Sequence, residues 1–210
     1  MVVPLSEKHI KEAAEIYARE LPSSPLVFLG KDFLERFYYR YLIQHPDTAA
    51  FVYLIDNQVA GFVIGVNQAN TFFNRLIKDH IGVLIKVLFF SICKRPLLLF
   101  HVLGSCRFIL AKPAGYQTEA KDAEIVTLAV RPEFRSPEFF KARGIKVAKA
   151  LVETALAQLK RSGAKRVKAF IAQSNVMAQI FYRNLGFRYV RPIRIGRLRS
   201  GLYLLEMISS

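Results

Sequence analysis

The chain has 210 residues, 52% of them hydrophobic, and its glycine and proline contents are ordinary. This length and composition allow one domain with a well-buried core and exclude a disordered or fibrous chain. The formal net charge is +15, and residues 131–199 alone carry +14, with 17 lysines and arginines against three acidic residues. Such a basic half favours an anionic partner, namely nucleic acid, an acidic membrane surface or a phosphorylated ligand, with a solvated basic face as the equal alternative.

The two cysteines, Cys93 and Cys106, stand in apolar surroundings without a Cys-x-x-Cys or Cys/His cluster. This argues against a disulfide framework or a zinc site, so we expect no metal and a reducing compartment. The amino terminus shows no charged segment followed by an apolar core and a cleavage site, so we expect no secretory signal. These features predict a cytoplasmic protein.

Apolar periodicity and turn residues predict alternating strands and helices. The first third is expected to contain a strand at residues 1–4, a helix at 6–20, a loop at 21–29, a helix at 31–44, and antiparallel strands at 50–55 and 59–66. The last part is expected to contain a strand at 124–130, a helix at 144–161, a strand at 166–172, a helix at 175–184, and strands near 188–195 and 202–208. The pattern predicts a single α/β (α+β) domain over residues 1–210, with a mixed sheet flanked by helices.

The sequence NVMAQIFYRNLGF at residues 175–187 predicts a short capped helix. Asn175 can accept a backbone N–H at the helix start, and Ala178, Phe181 and Leu185 recur at helical spacing. Gly186 then provides the left-handed residue that helix ends favour.

The sequence RGIKVAKAL at residues 143–151 predicts the start of a second amphipathic helix. Unpaired N–H groups and the positive end of the helix dipole can bind an anion there. Nearby cations add to this charge: Arg135, Arg143, Lys146 and Lys149. The segment is a candidate pyrophosphate site, although an Arg-Gly pair before an amphipathic helix is common by itself.

These two segments, with LAV at residues 128–130 and RPEFR at residues 131–135 ahead of them, resemble the conserved blocks of the GNAT superfamily of acyl-CoA-dependent N-acyltransferases. The resemblance implies a mixed, mostly antiparallel twisted sheet flanked by helices, with acetyl-CoA as the acyl donor. It also implies a set of cofactor-binding residues: Leu128, Ala129, Val130, Arg135, Arg143, Gly144, Ile145, Lys146, Val147, Ala148, Asn175 and Phe181.

Two features depart from the family pattern. Lys146 stands where the family usually has a glycine, so the backbone approach to a pyrophosphate is altered or the lysine itself contacts a phosphate. The segment SPEFFKA at residues 136–142 lengthens the loop ahead of Arg143. We expect this loop either to change cofactor affinity or to fold over the ligand.

The resemblance implies that Tyr182 donates a proton to the departing thiolate, with a locally satisfied core tyrosine as the alternative. It also implies that the strand at residues 125–130 is splayed and binds the pantetheine arm. Glu124, at the start of this strand, is the candidate general base, with a solvent-facing glutamate as the alternative. His80 and His101 have suitable ordinary pKa values but lie in apolar surroundings. An amine that arrives neutral needs no base.

Residues 70–113 form an apolar insertion that the family usually lacks, with apolar runs at 81–93 and 96–103. Neither run is long enough for a spanning helix. We expect a helical hairpin that roofs the acceptor site or forms a homodimer contact. The alternative is peripheral contact of residues 81–103 with an anionic membrane.

The expected function is therefore transfer of an acetyl group from acetyl-CoA to an amine of a small molecule, an amino sugar or a peptide. The alternative is a non-catalytic GNAT-like module that binds RNA or an acidic membrane surface through its basic face. Nucleic-acid modules interleave exposed aromatic and basic residues. Tyr189 and Tyr203 are better explained as strand residues, so nucleic acid is the less favoured partner.

Overall fold

The computed structural model describes residues 1–94, 122–195 and 198–207, which form a seven-stranded sheet with helices on both faces. The strand order is β1-β2-β3-β4-β5-β7-β6, and each neighbouring pair is antiparallel except β4 with β5. The strands are β1 Val2–Pro4, β2 Thr48–Ile55, β3 Gln58–Val66, β4 Ala123–Val130, β5 Arg166–Ala172, β6 Arg188–Ile195 and β7 Leu198–Glu206. This mixed, mostly antiparallel sheet confirms the predicted fold class.

Helices lie between most of the strands. They are α1 Ile10–Glu20, α2 Pro25–Phe28, α3 Lys31–Phe33, α4 Arg40–Gln44, α5 Ala69–Asp79, α6 Ile81–Lys94, α7 Pro137–Arg143, α8 Val147–Arg161 and α9 Val176–Asn184. Short 3₁₀ helices occupy Glu7–His9 and Pro132–Phe134. A π-helical segment, Leu34–Tyr39, joins α3 to α4, so the helix predicted at residues 31–44 is continuous but widened in its middle.

The loop predicted at residues 21–29 contains α2. The Ser24 hydroxyl accepts the Leu26 N–H, and Pro25 takes the first helical position, where its fixed φ fits and its missing N–H costs nothing. Pro25 follows a cap and therefore begins a helix inside the segment that is predicted to be a loop.

Two further boundaries differ from the prediction. The last strand, predicted at residues 202–208, already begins at Leu198, because it pairs with β6 along a hairpin. Its predicted final residue, Ile208, lies outside the described part of the chain. The helix predicted from Gly144 begins at Val147.

The sheet separates two hydrophobic cores. The first core lies against α1, the π-helical segment and α5, and includes the fully buried Phe62 and Phe72. The second core lies against α8 and α9, and includes the buried Leu151 and Tyr182. The core that a strand residue reaches therefore depends on the alternation of side chains along that strand.

Strand β4 contains a bulge at Val126. Ile125 pairs with Gly65 and Thr127 pairs with Ile64, so Val126 has no partner of its own on β3. The extra residue shifts the alternation by one. Ile125 before the bulge and Leu128 after it consequently pack in the same second core.

Helices α5 and α6 occupy the first part of the predicted insertion at residues 70–113. The remainder lies outside the described residues, including the apolar run at 96–103, His101 and Cys106. One side of α6 packs on the first core, whereas Ile85 and Phe89 on its other side are about 60% exposed. Within the described ranges, no helix has both the length and the hydropathy to cross a bilayer.

Candidate active site

Strands β4 and β5 separate soon after they begin. Their parallel pairing extends from Ala123 opposite Val167 only to Ile125 opposite Ala169. Both strands then continue with partners on their outer sides, β4 with β3 and β5 with β7. The structure thus contains a wedge-shaped gap in the middle of the sheet, which we call the β4–β5 gap.

The backbone of β4 is open toward this gap. The Arg131 N–H donates to the Ala60 carbonyl on β3 at 2.9 Å. Because successive peptide groups of a strand alternate in direction, Leu128 and Val130 direct their N–H and C=O groups into the gap, and Ala129 directs its groups to β3. An extended ligand with amide groups can bind such an edge as an added strand would.

Helix α8 begins without a side-chain cap. Its N-cap residue is Lys146, whose ammonium group cannot accept a hydrogen bond. The first hydrogen bond of the helix joins the Ala150 N–H to the Lys146 carbonyl at 3.0 Å. The backbone N–H groups of residues 145–149 therefore have no acceptor within the described part of the chain.

Three other helices begin differently. Helices α2, α7 and α9 are each capped by a side-chain oxygen, from Ser24, Ser136 and Asn175. Five free N–H groups at the positive end of the 15-residue α8 form an anion-binding site of the kind that holds phosphates. Four of these amides belong to predicted cofactor-binding residues: Ile145, Lys146, Val147 and Ala148.

The segment that is predicted to lengthen a loop, residues 136–142, is instead helical and forms α7. The Ser136 hydroxyl accepts the Phe139 N–H at 3.1 Å. Gly144 ends α7 with φ +67°, and its N–H donates to the Phe140 carbonyl at 2.8 Å. Gly144 is therefore the terminator of α7 and not the first residue of α8, because a left-handed residue ends a helix.

Three of the four predicted cations near this site differ in their contacts. Arg135 contacts the Glu20 carboxylate at 2.9 Å, and exposed Arg143 lies 3.6 Å from exposed Asp56. The Lys146 ammonium lies 4.9 Å from the centre of the Phe140 ring. Lys146 thus combines a charge with the free amides, without a carboxylate partner among the described residues.

Tyr182 lies in the second core and is 6% exposed. Its ring packs edge-on against Phe181 at 5.3 Å and Phe187 at 5.1 Å between centroids. None of the described residues hydrogen-bonds its hydroxyl. Burial raises the pKa of Tyr182 well above its ordinary value, so the hydroxyl stays protonated at neutral pH.

Asn175 caps α9, as predicted, through its Oδ1 atom, which accepts the Ala178 N–H at 3.0 Å. Replacing Asn175 with alanine should lower the free energy of unfolding by about 1 kcal/mol, because that N–H loses its acceptor. Denaturant titration measures the change. Asn184→Ala, at the exposed last position of the same helix, is the matched control and should change stability by less than about 0.5 kcal/mol. Equal losses in both variants would contradict the cap.

Glu124 does not face solvent, which corrects the alternative expected for it. Its side chain is 15% exposed, and Oε2 lies 3.7 Å from Nζ of Lys168. Lys168 is fully buried and donates to Oδ1 of Asn70 at 2.7 Å. Burial lowers the pKa of Lys168, while the charges of Glu124 and Asp122 oppose this shift.

Sequence analysis missed this buried polar cluster, which we define as Glu124, Lys168 and Asn70. Beside it, Asp122 accepts two hydrogen bonds from Arg166 at 2.9 and 3.1 Å. The available signal is a lone lysine within the otherwise apolar strand of residues 167–172. A buried lysine requires a partner, so this pattern indicates a polar contact inside the fold.

The two predicted catalytic residues lie on opposite faces of the sheet, and Glu124 lies at the closed end of the gap. Glu124 immediately precedes Ile125, the last residue of β4 that pairs with β5, and its cluster includes Asn70 of α5. Tyr182 packs in the second core together with Ile125. This arrangement places a carboxylate on one side of the gap and a phenol on the other.

The two histidines of the prediction are not part of this arrangement. His80 follows α5 and stacks on Tyr41 with 4.0 Å between ring centroids. His101 lies outside the described residues. Within the described ranges, no group of three or more His, Cys, Asp or Glu residues could hold a metal ion.

Comparison with known proteins relates this geometry to a family. Residues 97–187 match the model described as the acetyltransferase (GNAT) family. No curated protein sequence matches the chain significantly.

Three solved structures illustrate the proteins whose fold is similar to that of this chain. An N-acetyltransferase from Staphylococcus aureus Mu50 is 14% identical with a TM-score of 0.62, covering 98% of this chain and 100% of that chain. Arabidopsis thaliana NAA60 in complex with acetyl-CoA is 15% identical with a TM-score of 0.58, covering 99% and 98%. The ribosomal-protein-S18-alanine N-acetyltransferase from Escherichia coli is 14% identical with a TM-score of 0.57, covering 100% and 95%. At these identities the likeness shows a common fold. The match to the acetyltransferase (GNAT) family model covers less than half of the chain, and the solved structures show that the chain shares the fold of these acetyltransferases.

Proposed function

We propose that the protein is an acetyl-CoA-dependent N-acetyltransferase that acts by direct transfer to an amine. The observation that carries the proposal is the combination of the open β4 edge in the β4–β5 gap with the uncapped start of α8. These two features offer binding sites for the two chemically distinct parts of an acyl-CoA, its amide-containing arm and its pyrophosphate.

The residues present fit acetyl-CoA. The N–H groups of residues 145–149 would bind the pyrophosphate, with Lys146 and Arg143 adding charge. The backbone groups of Leu128 and Val130 would bind the pantetheine arm. Bound acetyl-CoA would supply an electrophilic thioester, and no resident metal is needed for this chemistry.

Proton transfer is assigned to the two sides of the gap. Glu124 would accept a proton from the incoming ammonium, directly or through water, because the attacking nitrogen must be neutral. Tyr182 would donate its hydroxyl proton to the departing thiolate. A backbone N–H of β4 would stabilise the negative charge that develops on the thioester oxygen.

The acceptor is an amine of a small molecule, an amino sugar or a peptide. Acceptor recognition falls to the face of the sheet that carries Glu124, because a general base must reach the proton that it abstracts from the incoming amine. The proposed reaction fits a protein of the cytoplasm, because acetyl-CoA is available in that compartment.

Acetyl-CoA binding is tested by thermal unfolding with and without the ligand. A ligand that binds only the folded state at about 100 times its Kd adds about 2.7 kcal/mol of stability, so the Tm should rise by several degrees. Lys146→Glu places a negative charge at the free amides and should reduce this rise. Lys165→Glu makes the same charge change at an exposed site beyond the far end of α8 and should retain it.

Catalysis is tested by a screen of amine acceptors monitored through release of free CoA. Turnover with at least one class of amine is the expected result. Absence of a Tm shift at saturating acetyl-CoA would overturn the proposal as a whole, whereas a shift without turnover would leave a GNAT-fold binding protein.

A further inference from the structure

A second pocket lies outside the β4–β5 gap, between α9 and the β6–β7 hairpin. Its volume is about 280 Å³, and it is lined by Gln173, Gln179, Arg183, Tyr189, Gly201 and Tyr203. Gln179 and Arg183 are one turn apart on α9, on a different face from the side chains that pack in the second core. The pocket is therefore separate from the backbone edge of β4 and from the start of α8.

The walls of this pocket are held by hydrogen bonds. The Tyr203 hydroxyl donates to Oε1 of Gln179 at 3.2 Å, and Nε2 of Gln179 donates to the Gln173 carbonyl at 2.8 Å. Both ends of the Gln179 amide are thereby fixed. The side chain joins α9 to the end of β5 and to β7, so the pocket is a built feature of the fold and not a gap between mobile side chains.

An aromatic wall closes another side of the pocket. Tyr189 and Tyr203 pack edge-on with 5.5 Å between ring centroids, over Gly201. A Cβ atom at position 201 would lie 2.9 Å from a carbon of each ring, so glycine is required there for the rings to approach the strand. Tyr203 is buried, but Tyr189 is 45% exposed, which leaves its ring accessible to a ligand.

The chain segment that lines the pocket carries charge of one sign. Residues 173–205 contain six arginines and no lysine, aspartate or glutamate. Arg183 is exposed and has no carboxylate partner among the described residues. Arg194 and Arg199 are directly opposite each other on β6 and β7, and Arg199 lies on the same face of the sheet as Gly201 two residues later.

Arginine differs from lysine in the ligands that it suits. Its planar guanidinium group binds carboxylate or phosphate oxygens in a bidentate manner and stacks beside aromatic rings. Arginine is the only charged residue type in this segment, and it lies beside an exposed tyrosine ring. This combination favours a ligand in which an oxyanion is attached to a planar group.

We propose that this pocket is a binding site for a small-molecule oxyanion, a phosphate or carboxylate carried on an aromatic ring, with Arg183 as its anion ligand and Tyr189 as its ring contact. The site goes beyond the proposed acetyl transfer. Its ligand binds beside α9 and leaves the acyl-CoA cleft free.

The test is isothermal titration of the full chain at low salt with phenyl phosphate, benzoate and inorganic phosphate, each with and without saturating CoA. Phenyl phosphate or benzoate should bind one per chain, and the stronger of the two identifies the anionic group. Arg183→Ala should weaken binding by about tenfold or more, since hydrogen bonds to a charged group are lost. Tyr189→Ala should weaken binding of the aromatic anions and leave inorganic phosphate unchanged.

The control is Arg36→Ala, which removes another exposed arginine, one that is paired with Asp32 on the helical segment before β2. It should leave all three titrations unchanged. Absence of binding in the unaltered chain would overturn the proposal. So would equal losses in Arg183→Ala and Arg36→Ala, or displacement of the anions by CoA.

Discussion

Replacing Tyr182 with phenylalanine should lower turnover by about 10²–10⁴-fold, the usual contribution of a positioned general acid. The variant keeps the ring and its edge contacts with Phe181 and Phe187, and it removes only the hydroxyl. No described residue depends on that hydroxyl for a hydrogen bond, so the fold should be preserved. Steady-state kinetics with the acceptor found in the screen measures the loss, and thermal unfolding shows whether the acetyl-CoA shift is retained.

The raised pKa of Tyr182 adds a pH criterion. Burial raises this pKa above the ordinary value of about 10, so the hydroxyl remains protonated throughout the neutral and mildly alkaline range. Activity should therefore not fall through deprotonation of Tyr182 below about pH 10. A loss of activity near pH 8 that disappears in Tyr182→Phe would contradict this assignment.

Tyr39→Phe is the matched control for this variant. Tyr39 is fully buried and its hydroxyl also has no hydrogen-bond partner among the described residues, but it packs in the first core against Phe62. Removing an unsatisfied buried hydroxyl should leave stability unchanged or increase it slightly. Turnover should be retained. Unchanged turnover in Tyr182→Phe would remove this tyrosine from the mechanism, and the binding assignments at the start of α8 would be unaffected.

The parts of the fold that follow from adjacent residues were predictable. Asn175 and Gly186 lie at the two ends of one short segment, and their cap and left-handed conformations are as expected from local rules. The turn between β2 and β3 is similar, because Asp56 and Asn57 both adopt positive φ, as a tight hairpin requires. Each of these signals is complete within about a dozen residues.

The residues of helix α7 themselves indicate a helix, although the resemblance to the family predicted a loop there. Ser136 followed by Pro137 is a cap and a first-position proline, the same combination that begins α2. The family has a compact loop at this point, so the extra residues 136–142 were interpreted as a longer loop and not as a helix. The correct boundary follows from the residues themselves, since Gly144 then ends α7 and leaves Lys146 to begin α8 uncapped.

The partners of Lys168 in the buried polar cluster could not be predicted, because they are far from it in the chain. Lys168 on β5 contacts Asn70 on α5, 98 residues earlier, and Glu124 on β4. No periodicity connects these positions. The β4–β5 gap has the same origin, since the point at which two parallel strands separate depends on the bulge at Val126 and on the outer partners of each strand.

Replacing Lys168 with methionine should lower the free energy of unfolding by about 3 kcal/mol, the low end of the range for removing one partner of a buried ion pair. Methionine fills a similar volume, but it removes the donor to the Asn70 side-chain oxygen and the cation that lies 3.7 Å from the mostly buried Glu124. For a chain of this size the Tm should fall by about 6–12 °C. Lys165→Met, three residues earlier at an exposed position, should change stability by less than about 0.5 kcal/mol.

A double-mutant cycle separates a packing defect from an unpaired charge. Glu124→Gln removes the negative charge that lies 3.7 Å from the Lys168 ammonium, so the double variant should lose less stability than the sum of the two single variants. Additive losses would show that Lys168 stabilises the fold independently of the Glu124 charge.

The pH dependence of the Lys168→Met defect has a defined sign. Burial lowers the pKa of Lys168 in the folded state, so the stability that Lys168 contributes is fully present above its unfolded pKa of about 10.5 and decreases as the pH falls through the folded pKa. Methionine does not titrate, so the deficit of the variant should grow as the pH rises from about 8 toward 10.5. Denaturant titrations of both proteins across this range measure the difference. A deficit that shrinks with rising pH would mean that Glu124 and Asp122 outweigh burial at this lysine, and that the cluster behaves as a stabilising ion pair at the closed end of the gap.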